Sequence, residues 1–159
     1  MLHVGIIGCG AIARQRHAAE YKNNENTTIV GVFDVSRERA EAMANDFGGK
    51  VYDTAEALIA DPAIDAVSVC VANAFHAAIA IDALNHGKHV LGEKPMAITL
   101  AECEAMYAAA IKNGKRLLID HNQRLTPAHR KAKEIIASGE LGRVISFAAT
   151  FGHKGPEMW

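Results

Sequence analysis

The sequence predicts an α/β fold built on a parallel, doubly wound sheet. Short apolar runs alternate with helical segments, with short connections and no repeat or low-complexity tract. The first run, residues 4–7, leads straight into Gly8-Cys9-Gly10-Ala11-Ile12-Ala13, and the second, residues 29–33, ends in Asp34. Strand, glycine turn, helix, strand and acid, in that order, make a βαβ unit of the dinucleotide-binding kind. In such a sheet the crossovers are right-handed, and ligands bind beyond the carboxyl ends of the strands.

Each part of that unit has a physical task. Gly8 permits the tight turn off the strand, and Gly10, without a Cβ, lets the backbone approach a pyrophosphate. Ala13, in the third small position, lets the helix pack close to the strand. The helix N-terminus offers free N–H groups and a positive dipole end. Asp34, about 20 residues further on, is placed to bind ribose hydroxyls.

The remaining elements follow in order. Ser36 is the expected N-cap of a helix to Phe47, ended by Gly48-Gly49, and Val51-Tyr52 makes a short third strand. Thr54 caps a helix over 55–60, broken by Asp61-Pro62. Residues 64–71, dense in β-branched side chains, read as a central strand covered on both faces. Ala72-Asn73-Ala74 turns into a helix over 75–86, with Gly87 as its C′ residue. Residues 89–91 form the next strand and end in Gly92-Glu93-Lys94-Pro95. Thr99 and Glu102 form a capping box for a helix that ends at Gly114. That helix carries Leu100, Cys103, Met106, Tyr107 and Ala110 on one face. Residues 116–120 are a strand, and Thr126-Pro127 is an N-cap with proline at the first helical position. The last helix sets Ala128, Ala132, Ile135 and Ile136 on one side, and residues 143–151 read as one further strand.

Composition narrows the class. Half the residues are apolar, 22% are charged and the net charge is −1. That balance gives no footprint for nucleic acid or an anionic membrane. The apolar runs are far short of a membrane span, and the first is a strand rather than a signal peptide. The three cysteines, Cys9, Cys70 and Cys103, are scattered and odd in number, as expected of reduced core residues in a cytoplasmic protein. Cys9 could also serve as a reactive thiol beside a bound cofactor. The eight histidines form no metal-ligand pattern, so no metal is expected. His3, His17, His129 and His153 read as solvent or packing residues, and His121 lies near the strand ends by topology.

By Glu93-Lys94-Pro95 the sequence resembles the glucose–fructose oxidoreductase, inositol dehydrogenase and rhizopine-catabolism (Gfo/Idh/MocA) family. The motifs are GIIGCGAIA, GVFD, IDAVSVCVAN with His76, HGKHVLGEKPMA, and the stretch from Asn122-Gln123-Arg124 through ASGELGRV. The resemblance implies an NAD(P)-binding Rossmann domain over 1–121, followed over 122–159 by the start of a truncated second α/β domain for substrate and oligomerisation. It implies oxidation or reduction of a CH–OH group of a sugar, inositol or related polyol, in a homo-oligomer with no nucleic-acid or membrane partner. The chain then reads as the cofactor-binding part, by itself inactive. A non-catalytic NAD(P)-binding sensor or regulator on the same fold is the alternative, and an intact Glu93-Lys94-Pro95 favours the enzyme. A different Rossmann ligand, a flavin or a methyl donor, is a weaker third reading.

Carried over by motif position, Gly8, Gly10, Ala11 and Ile12 line the pyrophosphate and Asp34 the adenosine ribose. Val71, Ala72, Asn73 and His76 flank the cofactor. Glu93 and Lys94 lie near the nicotinamide, and Gln123 near its ribose or carboxamide. The family commonly has Pro-Asn where this chain has Ala72-Asn73, a change in turn rigidity. Lys94 is the catalytic candidate, because an ammonium beside the reacting C–OH stabilises the alkoxide-like charge that grows as hydride leaves. Pro95 fixes the Lys94 backbone, with a cis bond as one option. The Asp34 carboxylate repels a 2′-phosphate and favours NAD over NADP, although Arg37 could offset that. Family members commonly carry an Asp-x-x-x-His pair in the second domain, and no such pair is expected in this sequence. Without the rest of that domain, residues 143–151 would be an apolar edge open to pairing with another chain.

Overall fold

The computed structural model describes residues 1–150 and residue 152. Met1–Asp120 forms one compact unit, and the residues from His121 onward form a second.

The first unit is built on a six-stranded sheet: β1 Leu2–Ile7, β2 Thr27–Phe33, β3 Lys50–Val51, β4 Ala66–Val69, β5 His89–Gly92 and β6 Leu117–Ile119. The spatial order is β3-β2-β1-β4-β5-β6, and every pair is parallel. The order reverses between β1 and β4, which is where a doubly wound sheet opens a crevice. Register brings the strand ends level. Ile7 pairs with Phe33 on one side and Val69 on the other; Val69 pairs with Gly92, and Gly92 with Ile119. The residues that follow, Gly8, Asp34, Cys70, Glu93 and Asp120, therefore leave the sheet along one edge.

Alternation along the strands feeds two apolar layers. Val4, Ile6, Ile29 and Val32 pack with Ala13 and Ala18 of the first helical segment and with Ala40 and Met43 of α2, Arg37–Phe47. On the other face Ile7, Val67, Val69 and Val90 pack with α3, Ala55–Ala60, α4, His76–Asn85, and α5, Leu100–Lys112. Parallel strands covered on both faces must be apolar on both, which is why they read as continuous runs.

The expected caps are in place. Ser36 Oγ accepts the Arg39 N–H and Thr54 Oγ1 the Ala57 N–H. Thr99 Oγ1 accepts the Glu102 N–H at 3.2 Å while the Glu102 carboxylate accepts the Thr99 N–H at 2.8 Å.

Other expectations differ from the structure. The central strand is shorter than 64–71, because Cys70 and Val71 already turn away at the sheet edge. The helix after the glycine turn contains a π-helical stretch, Ala13–Ala18, before α1, Ala19–Asn23. A 3₁₀ turn, Asn73–Phe75, precedes α4. On α5, Leu100 and Tyr107 are exposed and the buried face is Met106, Ala109 and Ala110.

The second unit holds a 3₁₀ turn, Asn122–Leu125, and α6, Pro127–Ala137, whose Ala128, Ala132, Ile135 and Ile136 are not buried. Thr126 occupies the N-cap position without capping, because its hydroxyl donates to the Gln123 carbonyl at 3.0 Å. Residues 143–150 pair in no strand, since a strand needs a sheet to join and the described part of this unit has none. The expected end of that strand, Phe151, and His153 lie outside the described residues. Among the described residues no helix is long and apolar enough to cross a membrane.

Candidate active site

An open cleft of about 590 Å³ lies at the carboxyl edge where the strand order reverses. Gly8, Gly10, Ala11, Asp34, Val71 and Ala72, all expected site residues, line it. Gly8 has φ +92°, and a Cβ there would meet the Cys70 carbonyl oxygen at 2.4 Å. The turn is thus closed by a backbone contact that only glycine allows. Gly10 is the opposite case: a Cβ there would meet no atom within 4 Å. No described residue uses that space, so the residues present fit a group that needs close approach to the backbone.

Asp34 closes the other wall. Its Oδ2 accepts the Cys9 N–H at 2.8 Å, and its Oδ1 accepts the Ser36 N–H at 2.8 Å. Arg39 donates to the same Oδ1 through Nε at 3.1 Å and Nη2 at 2.7 Å. Burial pushes the Asp34 carboxyl up, but the hydrogen bonds from Arg39, Ser36 and Cys9 outweigh it and hold it below its ordinary value. Arg39 itself lines the cleft. Arg37, the expected counter-charge, is turned to Glu41 at 2.8 Å and Asp53 at 2.6 Å. Cys9 is no reactive thiol: burial and then Asp34 push it up to about 12. Burial likewise pushes Cys70 up.

Glu93 and Lys94 leave β5 and part company. Lys94 is exposed, and the Lys94–Pro95 bond is cis. Glu93 is buried, 6% exposed, and its side chain turns inward. Glu93 Oε1 lies 3.1 Å from His17 Nε2, and Oε2 accepts the Lys94 N–H at 3.1 Å. The His17 Nδ1 lies 3.1 Å from Ser68 Oγ, which lies 2.6 Å from Tyr21 OH. Asp120 Oδ2 is 4.0 Å from His17 Nε2. The carboxylate and imidazole atoms of His17, Glu93 and Asp120 lie within 4.8 Å of one another, close enough to be compared with a metal site. The His17 nitrogens, however, are matched to partners at hydrogen-bond distance.

His17 was expected to be a solvent or packing residue; it is a buried, fully hydrogen-bonded one. A signal was present: His17 stands four residues after Ala13 and four before Tyr21, a polar group on the helix face that meets the sheet. Ser68, inside an apolar run, is its counterpart. His76 is also buried, with Nδ1 2.7 Å from the Pro95 carbonyl and Nε2 3.1 Å from that of Val71. It fastens the Val71 turn to the Pro95 turn and does not line the cleft. Ile12 and Asn73 do not line it either. Gln123, in the second unit, accepts from Thr126 and sits 2.6 Å from His129 Nδ1 through its carbonyl oxygen. Asp82 and His86 do have the Asp-x-x-x-His spacing, but as an exposed pair 3.2 Å apart in the first unit.

A parallel sheet with reversed strand order, a glycine turn at the reversal and an acid on the neighbouring strand define an NAD(P)-binding Rossmann unit. The model of the Gfo/Idh/MocA oxidoreductase family, described as an NAD-binding Rossmann fold, matches residues 2–121, and the chain belongs to that family. Among its relatives, glucose-6-phosphate 3-dehydrogenase of Bacillus subtilis is 36% identical over 151 residues, covering 95% of this chain and 42% of the relative. Inositol 2-dehydrogenase of Salmonella typhimurium is 34% identical, covering 89% and 43%. A crystal structure of KijD10, a 3-ketoreductase from Actinomadura kijaniata in complex with NADP and TDP-benzene, superimposes with a TM-score of 0.82 at 30% identity, covering 87% and 42%. The chain thus spans about two fifths of the length of these relatives.

Proposed function

We propose that the chain is the cofactor-holding part of a nicotinamide-dependent oxidoreductase acting on a CH–OH group of a sugar, inositol or related polyol. The observation that carries this is the exposed Lys94 at the end of β5, on the same sheet edge as the glycine turn and Asp34. The relatives named as sugar-phosphate and inositol dehydrogenases support the substrate class.

When bound, the nicotinamide accepts or returns a hydride at the substrate carbon. The chain's own residues do the rest. Gly10 leaves room for the pyrophosphate, and the helix beginning at Ala11 presents N–H groups without helical partners. Asp34 accepts the ribose hydroxyls and, as an anion, favours NAD over NADP. The Lys94 ammonium donates to the substrate oxygen and stabilises the negative charge that develops there. Ile12, Asn73, His76, Glu93 and Gln123 complete the expected cofactor surroundings, with Glu93 and His76 acting from behind the wall. We place the protein in the cytoplasm, consistent with three free cysteines, and in a homo-oligomer, as the family resemblance implies. We also assign the substrate wall to polypeptide outside these 159 residues, so that this chain alone binds cofactor without turning over.

The test is Lys94→Ala in the full-length enzyme. Turnover falls by about 10²–10⁴-fold while cofactor affinity stays within a few fold. Unchanged turnover would remove Lys94 from the chemistry.

A further inference from the structure

We propose that His17 is a positioning residue for Lys94. Through the Glu93 carboxylate, it ties the Lys94 turn to the helix that starts at the pyrophosphate turn. The proposal rests on Lys94 acting at the substrate oxygen.

We orient the hydrogen-bond chain from the Tyr21 phenol, which donates to Ser68 Oγ at 2.6 Å. Ser68 O–H then donates to His17 Nδ1, His17 Nε2–H donates to Glu93 Oε1, and the Lys94 N–H donates to Glu93 Oε2. Every polar side chain is matched, and among the described residues no buried side-chain N or O atom is left without a partner. The network spans three strands. Ser68 lies on β4, Glu93 follows β5 and donates its own N–H to Val69 O, and Asp120 follows β6 and donates its N–H to Gly92 O. His17 reaches all three from the π-helical stretch Ala13–Ala18, and π-helical turns re-aim side chains at functional sites.

The chemistry sorts this arrangement from plain core packing. The buried Glu93 carboxylate accepts the Lys94 backbone N–H on one oxygen and faces His17 Nε2 with the other. Helix movement at the glycine turn is thereby carried to the Lys94 backbone through one carboxylate.

The experiment uses two near-isosteres in the 159-residue chain. In His17→Asn the amide reaches the Nδ1 position and keeps Ser68 but drops Glu93. In His17→Gln it reaches the Nε2 position and keeps Glu93. In His17→Asn the Lys94 amide proton moves upfield and exchanges about tenfold faster or more, while Ile6 and Val32 amides are unchanged. His17→Gln restores the Lys94 amide to within about threefold of the parent. An unchanged Lys94 amide in His17→Asn overturns the proposal, and so does equal acceleration of all strand amides, which would mean a purely structural role. Should His17→Asn fail to fold, Glu93→Gln takes its place, with the same Lys94 signal expected and its absence equally decisive. In the full-length enzyme His17→Asn lowers kcat about tenfold with the cofactor KM within about threefold. A fall in KM-dependent binding alone would contradict the coupling. The amide readout does not depend on turnover, so it stands apart from the fate of Lys94 as the catalytic residue.

Discussion

Asp34 lines the cleft with a carboxylate whose two oxygens are held by donors of the protein. Cys9, Ser36 and Arg39 all donate to it, and Arg39 lines the same cleft. Replacing Asp34 by Asn removes the repulsion and frees Arg39. Hydrogen bonds to charged groups contribute roughly 1.5–3 kcal/mol, so NAD affinity should fall about tenfold or more in Asp34→Asn while NADP affinity rises. Arg39→Ala should weaken NADP and leave NAD affinity within a few fold; paired calorimetric titrations check both. Asp34 was legible because a strand end fixes its place. Arg39 was not, because the guanidinium that reaches Asp34 is chosen by the path of the turn, and Arg37, closer in sequence, is drawn off by Glu41 and Asp53.

Elements that carry their own stop and start signals could be read directly. Ser36, Thr54 and the Thr99–Glu102 box each cap the helix expected of them. Thr99→Ala should cost about 1 kcal/mol, visible as a fall of a few degrees in Tm. The glycine turn is stricter. Gly8→Ala sets a Cβ 2.4 Å from the Cys70 carbonyl oxygen at φ +92°, and should destabilise by at least ~1–3 kcal/mol in urea unfolding. What could not be read is whatever tertiary contact decides. The π-helical widening at Ala13–Ala18 has no local signal, and His17 meets Ser68 and Glu93 only once β4 and β5 are side by side. Leu100 and Tyr107 have helical spacing with the buried residues of α5 yet stay exposed, because the sheet covers only part of that face. Residues 143–150 have strand composition, yet among the described residues they pair in no strand.

At the scale of the molecule, stability and the candidate cleft meet at the same edge. The Asp34 carboxyl is held below its unfolded value, so its contribution is full above the unfolded value and is lost as pH falls through the folded one. Acid unfolding should therefore begin at higher pH in a chain with Arg39→Ala, whose Asp34 is less depressed, as read by circular dichroism. The sheet order was legible because alternating elements and right-handed crossovers leave few topologies. The wall of the candidate cleft was legible because it is made of backbone turns at strand ends. The support behind it, His17, Tyr21 and Ser68 under Glu93, is made of side chains far apart in sequence. If the cleft at the strand reversal holds a nicotinamide dinucleotide, Gly10 isolates that role, since a Cβ there meets no atom of the described residues within 4 Å. The decisive measurement is NADH titration of the parent chain and Gly10→Val by fluorescence. Saturable binding by the parent, a loss of about tenfold or more in Gly10→Val and an unchanged Tm are expected. Equal binding by both, or no binding by the parent, would contradict that role.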